Sequence, residues 1–409
     1  MYECVLVGGG IHATYLVQRL LEETSLERDD LVIVDPRERL LESFRQKARA
    51  CEMAELRSTF VHHVGTEPFG LESFAESRDR EDELRPTPGY PRRPTLSLFL
   101  DYADYVVETH DLESLHRSAG VTAIAERAGG LALETTRGPI RARRCVLAIG
   151  QGRPHRPAWA HGLERVTHVF DGRFDADAGG RTVVVGGGST AAQVATCLAS
   201  RGGDEVTLCH RRPLERELVE ADPRWINWKH IERHLHRHPP GSRARYEVIR
   251  EARNDATVPP YLHDELEACA DAGTLSVRRG EIADARAVDG EVRLLLAGGG
   301  CLLADRVVLA TGFDPLAAHP LVERVSGAHG LERGYRGLAV LDDETLAWRH
   351  TDGRPSRLFA TGALAASSVG PLAGTIAGAR RSADRLTDAL ETAARARSGG
   401  RRPLETRVR

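Results

Sequence analysis

The pattern that most restricts the fold is a strand, a glycine triplet and a helix, written twice along the chain. Cys4-Val-Leu-Val7 runs into Gly8-Gly9-Gly10-Ile-His-Ala13 and an apolar-periodic stretch through Leu20 and Leu21. Thr182-Val-Val-Val185 runs into Gly186-Gly187-Gly188-Ser-Thr-Ala191 and a helical stretch through Leu198. A second strand follows each helix: Leu31-Val-Ile-Val34 ends at Asp35, and Glu205-Val-Thr-Leu-Cys209 ends at His210-Arg211-Arg212. Glycines let backbone approach a pyrophosphate closely, and the helix N-terminus beyond them offers partial positive charge. One triplet is weak as a signal. Two β-α-β units in one chain predict an α/β protein with two Rossmann-like dinucleotide-binding domains of the three-layer β/β/α type.

The two units differ at their second strands. In the first, Gly8 and Gly10 form the turn, small Ala13 lets helix pack on strand, and Asp35 is placed to accept hydrogen bonds from adenosine ribose hydroxyls. That unit is read as an FAD site. In the second, Gly186, Gly188 and Ser189 form the turn, and Arg211 and Arg212 stand where an acid would repel a 2′-phosphate. Guanidinium forks pair with phosphate in two-point contacts, so this unit is read as an NADPH site, the alternative being solvated arginines on a loop. Two dinucleotide sites in one chain are what hydride delivery from a nicotinamide to a flavin requires.

Further apolar strands end in similar glycine turns. Cys145-Val-Leu-Ala-Ile-Gly150 and Val307-Val-Leu-Ala-Thr-Gly312 each follow a stretch of alternating polarity. Their ends, Gly150-Gln-Gly152 and Thr311-Gly312, fit chain crossings beside bound dinucleotides. A third, Leu358-Phe-Ala-Thr-Gly362, precedes Gly370-Pro371 and a helix to about Leu390, whose start would aim backbone N–H groups at the flavin. The expected division is an FAD domain over 1–160 with a Pro-rich covering segment at 50–100, and an inserted NADP domain over 161–302 with an Arg/His-rich helical insertion at 213–262. The second part of the FAD domain follows over 303–395, then a disordered tail over 396–409.

Composition excludes several other classes. With 56 Lys+Arg against 59 Asp+Glu and a formal net charge of −3, no whole-chain field recruits nucleic acid or an anionic membrane. The seven cysteines are scattered without a C-x-x-C pair, which argues against zinc and dithiol chemistry and fits a reducing compartment. No apolar run nears the roughly 20 residues of a membrane span, and no signal peptide is visible, so a cytoplasmic location is expected. His230, His234, His236 and His238 lack a third ligand type at fixed spacing, so they read as a solvated basic helix and no metal is expected. His62-His63 lies in the covering segment, where loop histidines and a flavin or substrate contact are both open readings. Ser189 is outside any G-x-S-x-G elbow, which removes a hydrolase reading.

Taken together, these stretches resemble the class B flavin monooxygenases, and within them the branch that N-hydroxylates ornithine and lysine. The resemblance rests on Val7 through Ala13, Thr66-Glu-Pro-Phe69, Arg93-Pro-Thr-Leu with Tyr102, and Leu147 through Pro154. It continues through Gly186 to Ala192, Val308-Leu-Ala-Thr-Gly-Phe313 and Phe359-Ala-Thr-Gly-Ala-Leu364. It implies FAD, NADPH, O2 and a small-molecule substrate, with an amine or similar soft nucleophile hydroxylated through a flavin hydroperoxide. A plain NAD(P)H:acceptor flavin oxidoreductase would share both dinucleotide motifs, and a flavin-binding scaffold is a third possibility. Departures are specific. The family's Met-Gln pair followed by a lysine is replaced by Met53-Ala54, with Arg57 the nearest cation. The family's asparagine has a match in Asn254, so Arg57 and Asn254 are the candidates for positioning substrate or NADP. No aspartate follows Gly362.

Overall fold

The strand Tyr2–Val7 is apolar on both faces, and such a strand is stable in the middle of a sheet covered on each side. It lies there, parallel to Leu31–Asp35 on one flank and Ile140–Leu147 on the other, with Val5 opposite both Val32 and Cys145. In the computed structural model, which describes residues 1–202 and 205–398, this first sheet has eight strands. His116–Ser118 closes one edge, and Pro355–Ala360 followed by Ala347–Arg349 the other. The antiparallel pair Val121–Arg127 and Gly130–Thr135 joins through Ile140–Leu147. Its alternation buries Leu131 and Leu133 and leaves Glu134 exposed.

The second sheet is wholly parallel, in the order Leu275–Arg279, Val206–His210, Thr182–Val185, Arg306–Leu309, Val166–His168. Alternate residues of its central strands serve different layers. Val184, Leu208 and Val308 pack with the helices Ser189–Ser200 and Pro260–Asp271. Val183, Cys209, Val307 and Leu309 pack against a three-stranded antiparallel sheet formed by Ile282–Val288, Glu291–Leu296 and Cys301–Ala304. The result is the expected three-layer arrangement.

The return of the chain to the first sheet comes later than the sequence reading places it. That reading begins the return at 303, but Arg306–Leu309 pairs with Thr182–Val185 in the second sheet, Val307 beside Val183. Val307 and Val308 face opposite layers and both are buried, a demand met at that sheet's centre. The crossing itself is visible where outgoing and returning chains run side by side. His155 N donates to Gly312 O at 2.9 Å, Asp314 N donates to Arg153 O at 2.8 Å, and Pro154 bridges Phe313.

Two expectations for the C-terminal region also change. The long helix starts at Ile376, not at Gly370-Pro371, and it runs to Ser398. Gly370, at φ +91°, instead ends the short helix Ala366–Val369. A Cβ there would sit 3.3 Å from the Trp225 ring, so this glycine answers to packing. Residues 396–398, assigned to a disordered tail, continue the helix, and the rest of that tail lies outside the described residues.

The insertion at 213–262 is contiguous in sequence with the second sheet but packs on the C-terminal segment. Trp225, Ile231 and Leu235 share a core with Leu372. Fully buried Arg245 meets both carboxylate oxygens of Asp343 at 2.7 Å and donates to His238 O and Ser367 O at 2.8 Å. The four histidines of this insertion are not gathered at one point. The His230 and His234 rings lie 4.2 Å apart, tilted by 35°, beside Trp225, whereas His236 Nε2 donates to Ser368 O at 2.7 Å. They are half-buried packing residues, where the sequence suggested a solvated face.

Candidate functional site

The helix Ile11–Glu23 begins at Gly10, and the two glycines that lead into it are required for different reasons. Gly8 has φ +110°, and a Cβ on it would collide with the Ala148 carbonyl. Its need is conformational and steric. Gly10 has φ −87°, which any residue adopts, and nothing lies within 4 Å of where its Cβ would be. The space over this helix N-terminus is therefore open, a cradle of the kind a pyrophosphate fills. Ala13 is fully buried beneath it. Asp35 fixes the turn: Oδ2 accepts from Gly9 N at 2.8 Å and Oδ1 from Arg37 N at 2.9 Å. Oδ1 also meets Arg37 Nη1 at 3.3 Å, whereas Oδ2 has Gly9 N as its one hydrogen-bond donor among the described residues and keeps a lone pair, so the ribose role read from the sequence remains compatible.

Sequence reasoning missed His12. Its Nδ1 lies 2.8 Å from Thr361 Oγ1, and a side chain at Gly362 would reach its ring. Burial pushes its pKa down to about 4, so the ring is neutral at physiological pH. This contact ties the first glycine turn to the Thr361-Gly362 turn at the end of Pro355–Ala360. One polar residue inside a helix carries no periodic signal that would have singled it out.

The remaining predicted glycines sort into two groups. Gly150 (φ +74°), Gly312 (φ +79°) and Gly362 (φ +72°) are left-handed, and the first two face open space. Gly152 would collide with the Asp314 carbonyl if it carried a Cβ, and Thr311 Oγ1 donates to His155 O at 2.5 Å. Gly152 and Thr311 thus belong to the chain crossing, where they let two backbones touch.

At the second turn, a Cβ on Gly186 would collide with the Ala310 carbonyl, and Gly188 begins the helix Ser189–Ser200. Ser189 Oγ donates to Thr257 O at 3.1 Å, holding the 254–257 loop beside that helix N-terminus. Arg211 and Arg212 are exposed beyond the strand end. His210 Nδ1 donates to Arg212 O at 2.6 Å and curls the chain around that end.

Arg57 and Asn254 are brought together, though not as free ligands. Arg57 Nε donates to Leu218 O at 2.9 Å, and its Nη2 to Glu217 O, Val219 O and Thr257 Oγ1 at 2.6 to 3.0 Å. Asn254 Nδ2 donates to the same Val219 O at 2.9 Å, and its backbone N to Glu220 O at 2.8 Å. Through Nε and Nη2, Arg57 fastens the covering segment to the 217–220 loop. Asn254 retains its Oδ1 beside the second turn.

His63 is fully buried; its Nδ1 accepts from Gly65 N at 3.2 Å and its Nε2 faces Pro68 O at 3.3 Å. It shapes the loop. His62 lines a cavity of about 180 Å³ with Phe69, Ile226, Ala377, Arg380 and Arg381. Covering segment, insertion and terminal helix meet there, and neither arginine was singled out from sequence.

Burial holds the His12, His63 and His168 pKa values at about 4, below the ordinary 6.5. The unfolded chain therefore takes up these protons first as pH falls. Stability is full above about pH 6.5 and is lost toward pH 4, by about 1.4 kcal/mol per pH unit for each such histidine. Denaturant unfolding should show a clear fall in stability between pH 7 and pH 5, and equal stability at both would contradict it.

Fold and site define an α/β protein with one mixed and one wholly parallel sheet, each with a glycine turn opening on a helix N-terminus, joined by a double chain crossing. Residues 5–152 match the family model of FAD-NAD(P)-binding proteins. Among solved structures, the chain is similar to an ornithine N-hydroxylase of Kutzneria sp. 744, with TM-score 0.76 and 18% identity over 96% of this chain and 100% of that one. It is similar to the ornithine hydroxylase of Pseudomonas aeruginosa, with TM-score 0.74 and 18% identity over 96% and 99%. The L-lysine 6-monooxygenase of Pseudomonas syringae gives TM-score 0.67 and 19% identity over 96% and 100%. At such identities the likeness shows a shared fold. No curated protein sequence matches. Among the described residues, no helix is long and apolar enough to cross a membrane.

Proposed function

We propose that the protein is an FAD- and NADPH-dependent monooxygenase that hydroxylates an amine or similar soft nucleophile. The observation that carries the reading is the open space over Gly10 at one helix N-terminus, paired with a second glycine turn whose neighbouring strand ends in two exposed arginines. The first fits a flavin dinucleotide pyrophosphate and the second a 2′-phosphorylated nicotinamide dinucleotide. Residues up to about 152 and beyond about 314 are assigned to FAD, and those between to NADPH. The solved Kutzneria structure is described with reduced FAD, NADP+ and L-ornithine, which supports placing all three chemistries on this fold.

When bound, FAD supplies the redox chemistry, accepting hydride from NADPH and passing electrons to O2. The chain's own residues bind, orient and exclude water. Gly8, Gly10 and the helix behind them hold the pyrophosphate. Neutral His12 fixes the Thr361-Gly362 turn against that helix. Arg57 locks the covering segment onto the 217–220 loop, where Asn254 Oδ1 can accept a hydrogen bond from nicotinamide or substrate. The open cavity beside His62, Arg380 and Arg381 is the place we assign to substrate, where the covering segment, insertion and terminal helix meet.

The test is stoichiometric. Purified holoprotein is given NADPH and O2, with hydrogen peroxide measured per NADPH consumed, across diamino acids, polyamines and aromatic amines. At least one amine should speed NADPH oxidation and cut peroxide well below one per NADPH. Stoichiometric peroxide with every amine would favour a plain oxidoreductase.

A further inference from the structure

We infer that Arg279 is a third reader of the cofactor's 2′-phosphate, beside Arg211 and Arg212. This rests on the NADPH reading above and extends it to a strand the sequence pattern did not connect with the site. Leu275–Arg279 lies parallel to Val206–His210, with Arg279 opposite His210. Gly280 N donates to His210 O at 2.9 Å, so the two strands end level, at the roughly 4.8 Å spacing of neighbouring strands. Immediately past that point the His210 hydrogen bond turns Arg211 and Arg212 around the strand end. A side chain at Gly187 would lie 3.7 Å from His210 Cβ and 3.8 Å from Leu214, so the basic strand ends adjoin the second glycine turn.

Alternation separates Arg279 from its neighbour. Arg278 is opposite Cys209, whose side chain packs with the antiparallel sheet. Arg279 therefore lies on the other face, the one shared with Leu275 and the helix Ser189–Ser200. Arg211, Arg212 and Arg279 are all exposed. Among the described residues none of the three meets a carboxylate, whereas nearby Arg216 is paired with Asp264 at 2.6 Å. Three like charges at adjoining strand ends repel one another, and a doubly ionised phosphate monoester relieves that repulsion while offering acceptors for planar forks.

The experiment is calorimetric titration of the holoprotein with 2′,5′-ADP and, separately, 5′-AMP. Arg279→Ala should weaken 2′,5′-ADP binding by about tenfold or more, as expected for a lost charge-assisted hydrogen bond, and leave 5′-AMP unchanged. Arg278→Ala should bind both ligands as wild type does. If Arg279→Ala keeps wild-type affinity while Arg211→Ala/Arg212→Ala loses it, Arg279 is no reader and the inference falls. Equal weakening by Arg278→Ala would also overturn it, since the effect would then be a general field. Wild type binding 2′,5′-ADP no more tightly than 5′-AMP would remove the NADPH reading itself.

Discussion

Gly10→Asp is expected to purify as folded protein without bound flavin. The backbone at Gly10 lies in an ordinary region and nothing occupies the Cβ position, so the substitution causes no clash. Aspartate is also a favoured residue at a helix N-cap, better than glycine there by about a few tenths of a kcal/mol. What it disturbs is the ligand. A carboxylate within about 4 Å of a pyrophosphate charge costs roughly 4 kcal/mol at an effective dielectric of 20, about a thousandfold in affinity. Gly8→Ala is the contrast: it meets the Ala148 carbonyl at a positive φ and should lower the yield of folded protein. Flavin absorbance and thermal melting on the two variants separate these cases. Full flavin occupancy in Gly10→Asp would remove the assignment of the first turn.

Arg211→Ala/Arg212→Ala should raise the NADPH dissociation constant by about two orders of magnitude or more and leave NADH nearly unchanged. Each charge-assisted hydrogen bond to phosphate is worth about 1.5–3 kcal/mol, and both arginines are exposed without a competing carboxylate among the described residues. The readout is anaerobic flavin reduction at subsaturating nucleotide. Wild type should prefer NADPH strongly, and the double variant should lose most of that preference. Equal rates with the two nucleotides in wild type would return these arginines to the solvated surface.

Both glycine-turn units were legible in the sequence because strand, glycine triplet and helix follow one another without interruption and the central strands are largely apolar on both faces. The point of return was not. Cys145-Val-Leu-Ala-Ile-Gly150 and Val307-Val-Leu-Ala-Thr-Gly312 read alike, yet Ile140–Leu147 pairs in the first sheet and Arg306–Leu309 in the second. Periodicity states that a strand is buried on two sides; it does not say in which sheet. Arg57 and Asn254 share the Val219 carbonyl, a meeting that depends on the carbonyls of 217–220, which only the folded insertion brings near. His12, Arg245 and Arg279 act through partners distant in sequence, and no spacing rule reaches them.

The central claim is oxygen transfer to a nucleophilic substrate. The most direct measurement supplies holoenzyme, NADPH and isotopically labelled O2 with the amine that best stimulates NADPH oxidation, and reads product mass. The predicted result is a hydroxylated product carrying one labelled oxygen atom, formed in proportion to the NADPH not accounted for by peroxide. NADPH oxidised with all the label recovered in peroxide, and no labelled product from any amine tested, would contradict it.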